Sequence, residues 1–243
     1  MTILVTGASR GIGKAIAARF AQANYNVALN ATGLNPALWA TEQELAARDP
    51  HAQVAAFAGD MSDYDEASRV MREVTARFGE PDVLINNAGI AATGLFADST
   101  PADWQRLINT NINAMLNTSH MAAQFMARRH SGAIINISSI WGVAGASCEA
   151  VYSMTKGAVN AFTRALGKEL GPCGVRVNAI ACGLVDTAMN ANLTAEDKAA
   201  FLEDVPLSRI GTPEEIAETA FFLASDAASY INAQIIVADG GLL

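Results

Sequence analysis

The sequence predicts the α/β class: one domain built on a doubly wound, parallel sheet of seven strands with helices on both faces. Short apolar runs rich in Val and Ile alternate along the chain with longer stretches of helical period, the pattern of repeated β-α units. No repeat, low-complexity tract or Pro/Gly-rich linker interrupts this pattern, so nothing marks a second domain within residues 1–243. With 51% of residues apolar and 16% charged, a chain of this size buries well over half of its unfolded surface and holds one core without a disulfide staple.

In chain order, strands are expected at residues 3–6, 27–30, 54–57, 83–86, 133–137, 176–180 and 235–237. Two helix starts are marked by caps: Thr100-Pro101-Ala102-Asp103 and Thr212-Pro213-Glu214-Glu215 each place Thr before Pro, with an acid in the first turn. The first of these opens a long helix on which Met115, Met121 and Met126 read as core or subunit packing. Residues 183–211 are expected to form a mobile substrate flap.

Charge and cysteine usage exclude several classes. A net charge of −8 repels phosphate backbones and anionic membranes, which argues against nucleic acid and membrane partners. Cys148, Cys173 and Cys182 are odd in number and form no C-x-x-C pair, and His51, His120 and His130 are scattered, so neither a disulfide framework nor a metal site is expected. The first strand begins almost at once, no apolar run approaches the roughly 18 residues of a membrane span, and a cytoplasmic location is expected. Residues 1–41 hold Arg10, Lys14 and Arg19 and no acid, so an anion is expected at that end.

The anion site has a sequence signature. Thr6-Gly7-Ala8-Ser9-Arg10-Gly11-Ile12-Gly13 follows the first strand and opens an amphipathic helix, where glycines let backbone N–H groups approach a pyrophosphate at the positive helix end. This Rossmann-like arrangement makes Gly7, Ser9, Arg10, Gly11, Ile12 and Gly13 candidate dinucleotide-binding residues. A site for NAD(H) usually places an acid about 20 residues later on the adenosine ribose, but the second strand ends in Asn30-Ala31-Thr32-Gly33 and the first acid is Glu42. Arg10 in the glycine loop, with Thr32 after the second strand, favours a 2′-phosphate, hence NADP(H) over NAD(H); Arg10 as a solvated loop residue and Thr32 as a turn former remain open.

A second constellation carries proton chemistry. Tyr152-Ser153-Met154-Thr155-Lys156 starts a helix running to about Leu170, and the i, i+4 spacing places phenol and ammonium on one face. A fixed charge about 4 Å away at an effective dielectric of about 20 is worth about 4 kcal/mol, enough to bring a phenol from about 10 toward neutrality. Ser139 ends an apolar strand, so its hydroxyl is expected at the carboxyl edge of the sheet, where it would hydrogen-bond a carbonyl oxygen.

Taken together, Thr6–Gly13, Asn86-Asn87-Ala88-Gly89, Asn111, Ser139, Tyr152-x3-Lys156 and Asp239-Gly240-Gly241 resemble the short-chain dehydrogenase/reductase family over the whole chain. The resemblance implies a ketone reductase, in which Tyr152 donates a proton to the carbonyl oxygen, Lys156 binds the nicotinamide ribose and Ser139 orients the carbonyl. Asn111 would hold a water linking Lys156 to solvent. Asp60 and Met61 would bind adenine, Asn87, Ala88 and Gly89 would line the adenosine ribose, and Thr187 would contact the carboxamide. Asn86 and Asn87 have a second reading as ties between strand ends, and Asp60 as a helix cap. The family also implies a homotetramer. Where it usually has Pro-Gly after the sixth strand this chain has Cys182-Gly183, in which Cys182 reads as a small neutral filler, with a reactive thiol as the other reading.

For the substrate, the chain most resembles 3-oxoacyl-carrier-protein reductases, with Arg128 and Arg129 as candidate carrier contacts. Segment 139–149 resembles reductases of 5-aminopentanone-modified elongation factor P. The substrate candidates are Trp141, Glu149 and Met189: a carboxylate three residues before Tyr152 suits a cationic amine, while Glu149 as a solvated loop acid and Trp141 as packing under the flap remain open. A non-catalytic NADPH-binding sensor is the rival from another class.

Overall fold

The computed structural model describes residues 1–33, 35–48, 52–191 and 193–243; His51 lies outside the described residues. The strands are β1 (Thr2–Val5), β2 (Asn26–Ala31), β3 (Val54–Ala58), β4 (Val83–Asn86), β5 (Gly132–Ser139), β6 (Val175–Cys182) and β7 (Ile235–Ala238). They form one seven-stranded sheet in the order β3-β2-β1-β4-β5-β6-β7, every pairing parallel. All seven expected strands are present. The largest differences are at β5 and β6, which run two residues further at their ends because Ser138 and Ser139 pair in register with Ala181 and Cys182.

The helices are α1 (Gly11–Ala21), α2 (Pro36–Arg48), α3 (Tyr64–Phe78), α4 (Pro101–Ile108), α5 (Ala114–Arg129), α6 (Trp141–Ala144), α7 (Ala150–Leu170), α8 (Ala195–Glu203) and α9 (Pro213–Ala224). Alternate strand residues feed two cores, as a period of two requires. Ile3, Val5, Val27, Leu29, Ile85 and Ile135 pack under α1, α2 and α9, while Leu4, Ala28, Leu84, Ile134 and Val177 pack under α3, α5 and the end of α7. Both Thr-Pro starts form capping boxes, Thr100 with Asp103 and Thr212 with Glu215. Met115 and Met126 are core residues.

Sequence periodicity does not register one feature of the long helix. Between α4 and α5 the chain makes a π-helical turn at Asn109–Asn113. Such turns insert one residue into the helix and rotate every downstream side chain about its axis. Asn111, within this turn, is buried and bonded to Ile90 in the loop that follows β4.

The strand order reverses between β1 and β4, so the crevice outside their carboxyl ends is the topological switch point at which such sheets bind ligands. Buried polar groups stitch this region together. Thr118 Oγ1 donates to Asn86 Oδ1 (2.6 Å), Asn86 Nδ2 donates to Asn136 Oδ1 (2.8 Å), and Asn136 Nδ2 donates to Thr163 Oγ1 (2.8 Å). Asn86 therefore ties β4 to α5 and β5. A network so fully satisfied fixes strand ends without leaving desolvated partners.

Candidate active site

Two adjoining cavities open at the carboxyl edge. A cleft of about 300 Å³ is lined by Gly7, Ser9, Arg10, Gly11, Ile12, Thr32, Asp60, Met61, Asn87, Ala88, Gly89, Thr187 and Met189, which brings together nearly all the residues expected to bind a dinucleotide. Gly13 lies just behind it. A Cβ on Gly13 would collide with the Gly7 carbonyl oxygen and stand 2.5 Å from Asn87 Nδ2. Gly7 and Gly11 adopt φ of +64° and +56°, the left-handed region that glycine enters without penalty.

Whether the cleft fits a dinucleotide is decided by its donors. No side chain caps α1: its N-cap residue, Arg10, makes no cap hydrogen bond and the first turn holds no acid. Those N–H groups face the glycine loop at the positive helix end, where an anion satisfies them. The residues therefore fit a pyrophosphate. Sequence charge misleads on the neighbouring cations, because Lys14 pairs with Glu44 (2.6 Å) and Arg19 with Glu218 (2.7 Å). Among the described residues Arg10 makes no ion pair, and it is exposed on the cleft wall.

The loop after β4 forms the opposite wall. Thr6 Oγ1 accepts from the backbone N–H groups of Asn87 and Ala88 (3.0 Å each), and Asn87 Nδ2 donates to the carbonyls of Thr6 and Gly7 (3.0 Å each). Asn87 thus ties the ends of β1 and β4 while lining the cleft. Asp63, not Asp60, caps α3, accepting from Glu66 N at 2.9 Å. Asp60 accepts from Ser62 N in the preceding turn and remains on the cleft.

The second cavity, about 660 Å³, shares Ile12, Asn87, Gly89, Ile90, Thr187 and Met189 with the first. Ser139, Tyr152, Lys156 and Cys182 line it, with Trp141 and Glu149 at its sides. Ser139 closes β5 and Tyr152 opens α7, so strand end and helix start bring the two hydroxyls to the wall of the same cavity, near enough for the serine to influence the phenol. Asn111 Nδ2 donates to Ile90 O (2.9 Å) and Thr155 Oγ1 (3.0 Å), and its Oδ1 accepts from Ile90 N (2.8 Å), leaving one lone pair on that oxygen. A side chain at Gly89 would meet both Asn111 Oδ1 and Lys156 Nζ at 3.4 Å.

The electrostatics differ from the sequence expectation. Lys156 Nζ donates to Ile137 O (2.9 Å) and lies 5.8 Å from the centre of the Tyr152 ring. It does not meet the hydroxyl. Burial instead dominates, pushing the phenol up to about 12, against a downward pull from the neighbouring Ser139 hydroxyl. Burial also pulls Lys156 down to about 8. The i, i+4 spacing put both groups on one face, but a carbonyl at the end of β5 captures the ammonium.

Glu149 is half-buried rather than a solvated loop acid. Its carboxylate has no hydrogen-bond or ion-pair partner among the described residues, and burial raises its pKa above the usual carboxylate range. It stands at the N-terminus of α7, between the reaction cavity and a groove formed by residues such as Phe96, Trp104 and Val151. The flap side of the cavity includes Leu193, Asp197 and Phe201, none of which the sequence singled out. The Trp141 ring meets Phe201 edge-on at 6.3 Å, so it does pack against segment 183–211. Arg128 and Arg129 lie at the opposite edge of the sheet, bonded to Glu80 and to Pro81 and Asp82, because α5 ends beside the start of β5. They do not flank the cavity within the chain.

Cys182 is buried at the cavity floor, its thiol pushed up to about 12 by burial. His120 contacts the Tyr64 hydroxyl at 3.2 Å and His130 caps α5 in the left-handed region, both away from the cavity. No helix among the described residues is long and apolar enough to cross a membrane.

A family model described as Enoyl-(Acyl carrier protein) reductase matches residues 7–243. The chain is 40% identical over 241 residues to a 3-oxoacyl-[acyl-carrier-protein] reductase of Staphylococcus aureus (strain Mu50), spanning 98% of this chain and 96% of that protein. To the same-named reductase of Chlamydia trachomatis it is 39% identical, spanning 99% and 96%. A solved structure from Agrobacterium tumefaciens, provisionally described as a gluconate dehydrogenase, superposes with a TM-score of 0.94 at 35% identity, covering 99% of this chain and 95% of that one. A family match over almost every residue, joined to relatives of this identity, places the protein in the short-chain dehydrogenase/reductase family of nicotinamide-dependent oxidoreductases.

Proposed function

We propose that the chain reduces a ketone to a secondary alcohol with NADPH, using Tyr152 as proton donor. The observation that carries this reading is that the Ser139 and Tyr152 side chains line the same wall of the cavity that adjoins the glycine-loop cleft. Two hydroxyls converging on one point suit a carbonyl oxygen, which gains the proton directly. In an enoyl thioester, the substrate named in the matching family's description, the final proton goes to carbon, whereas in a ketone it goes to the oxygen that the two hydroxyls address.

Bound in the glycine-loop cleft, NADPH supplies the hydride for the carbonyl carbon. The chain does the rest. Arg10 and Thr32 select the 2′-phosphate, and the N-terminus of α1 takes the pyrophosphate. Asp60 and Met61 flank adenine, Asn87 to Gly89 line the ribose, and Thr187 holds the carboxamide. Ser139 donates to the substrate oxygen, and Tyr152 gives up its proton there as charge develops. Asn111 fixes the Ile90 loop beside Lys156, which restores the proton balance of the phenol. Segment 183–211 serves as the flap, with Trp141, Phe201 and Met189 excluding water.

The names of the relatives favour a carrier-linked 3-oxoacyl substrate; a cytoplasmic homotetramer is part of the same proposal and rests on the family resemblance alone. A second reading, a ketone bearing a cationic amine such as 5-aminopentanone-modified elongation factor P, is favoured by the unpaired, half-buried carboxylate of Glu149. NADPH oxidation with acetoacetyl thioesters and with an amino ketone separates the two. Tyr152→Phe is expected to lower kcat by about 10²–10⁴ while NADPH binding stays intact. Undiminished turnover in that variant would require another proton donor, and NADPH binding without turnover of any ketone would indicate a sensor.

A further inference from the structure

Asn160 lies two turns beyond Tyr152 and one beyond Lys156 on α7, on the same stripe of the helix, yet it does not line either cavity. It is buried, and its Nδ2 donates to Gly142 O at 3.0 Å, while its Oδ1 accepts no hydrogen bond from the described residues. The donation to Gly142 is therefore what orients the amide.

Gly142 is the second residue of the single-turn helix α6. In a longer helix its carbonyl would accept from Ala146 N, but that amide donates to Ser153 Oγ at 3.1 Å. The turn is thus fastened to α7 by two side chains, Asn160 at Gly142 and Ser153 at Ala146. It also sits directly on the helix backbone, since a Cβ on Gly142 would stand 2.5 Å from the carbonyl carbon of Lys156. The same turn carries Trp141, whose backbone N–H donates to Ser139 Oγ at 3.2 Å. A continuous path therefore runs from Asn160 through Gly142 and Trp141 to the Ser139 hydroxyl.

We propose that Asn160 is a positioning residue that aims Ser139 at Tyr152 by holding the Gly142 turn against α7. This rests on the reading of Ser139 and Tyr152 as the reacting hydroxyls. It acts at a distance, through backbone, on a group whose placement matters at the level of one ångström.

The test is a double-mutant cycle between Asn160→Leu, which keeps side-chain size and removes the donor, and Ser139→Ala. Turnover of acetoacetyl-coenzyme A is measured across pH, with thermal melts and NADPH affinity as controls. Asn160→Leu is expected to lower kcat by roughly ten- to hundredfold at unchanged NADPH affinity. It should move the alkaline limb of kcat upward, as Ser139→Ala should, because the nearby Ser139 hydroxyl draws the phenol down. In the Ser139→Ala background the loss should vanish. Equal losses in both backgrounds, or no loss in either, would overturn the positioning role alone. Full activity in Ser139→Ala would instead bring down the reading of the site, and this inference with it. Asn160→Ala, read in the same cycle, decides the matter if the leucine variant does not fold.

Discussion

Lys156 and Cys182 lie buried on the floor of the reaction cavity, close enough for each to pull the other toward its charged form, and in both of them burial wins. The ammonium falls from 10.5 to about 8, and the thiol rises from 9.0 to about 12.

The lysine half of that relationship predicts a pH-dependent cost. Below pH 8 both folded and unfolded chains hold the proton on Lys156, so the folded state bears the full penalty of a buried charge. Between about 8 and 10.5 the folded chain releases the proton first, and stability rises with pH on this account. Cys182 works in the opposite sense above pH 9, since the unfolded thiol ionises first. Comparison with Lys156→Met isolates the lysine. The variant should be the more stable at pH 7 by an amount on the order of 3 kcal/mol, with the advantage shrinking as pH approaches 10.5. Melts showing a constant gap from pH 7 to 10.5 would refute the buried-charge account.

Gly13 predicts a steric cost. An added methyl group there runs into the Gly7 carbonyl and the Asn87 amide, both fixed by the hydrogen bonds that join β1 to β4. Neither neighbour is the free end of a flexible side chain. Gly13→Ala is expected to cost about 1–3 kcal/mol from forced backbone shifts and to weaken NADPH binding. A variant that melts with the parent would mean that the glycine loop can open.

Much of this was legible in the sequence, for identifiable reasons. The strands could be read because both sheet faces are covered, so that runs such as Ile134-Ile135-Asn136-Ile137 are apolar almost throughout. The Thr-Pro caps could be read because they act within four residues. Ser139 and Tyr152 were visible because one ends a strand and the other begins a helix. Less legible were features decided by distant partners: Ile137 capturing the Lys156 ammonium, Glu44 and Glu218 neutralising Lys14 and Arg19, and Asp63 taking the cap considered for Asp60. Phe201 had no signal beyond lying on a short helix, and the π turn leaves the apolar period around Asn111 almost unchanged.

Arg10 is the determinant to test for cofactor choice. It is the exposed guanidinium on the cleft wall, it makes no ion pair among the described residues, and no acid follows β2 until Glu42. Removing a charge-assisted contact to a phosphate costs about 1.5–3 kcal/mol. Arg10→Ala should therefore weaken NADPH binding by roughly ten- to hundredfold while leaving NADH nearly unaffected. Fluorescence titration with both nucleotides measures this directly, and equal weakening of the two would assign Arg10 to the pyrophosphate or to the loop itself.

Glu149 provides the sharpest test of substrate. Its carboxylate is half-buried at the start of the helix that carries Tyr152 and lines the same cavity, so it raises the phenol and would attract a cation placed beside it. Burial lifts its own ionisation above the usual carboxylate range, so the charge is lost earlier as pH falls than it would be in an exposed acid. For an amino ketone, KM should then fall as pH rises through that raised value and level off once the carboxylate is ionised, while a neutral ketone should show no such limb. Glu149→Gln removes the charge and keeps the shape. It is expected to raise KM for the amino ketone about tenfold or more, to abolish its acid limb, and to leave acetoacetyl thioesters unchanged. Identical kinetics of the two substrates in parent and variant would leave Glu149 as wall rather than selector, and would return the substrate to the oxoacyl class that the relatives share.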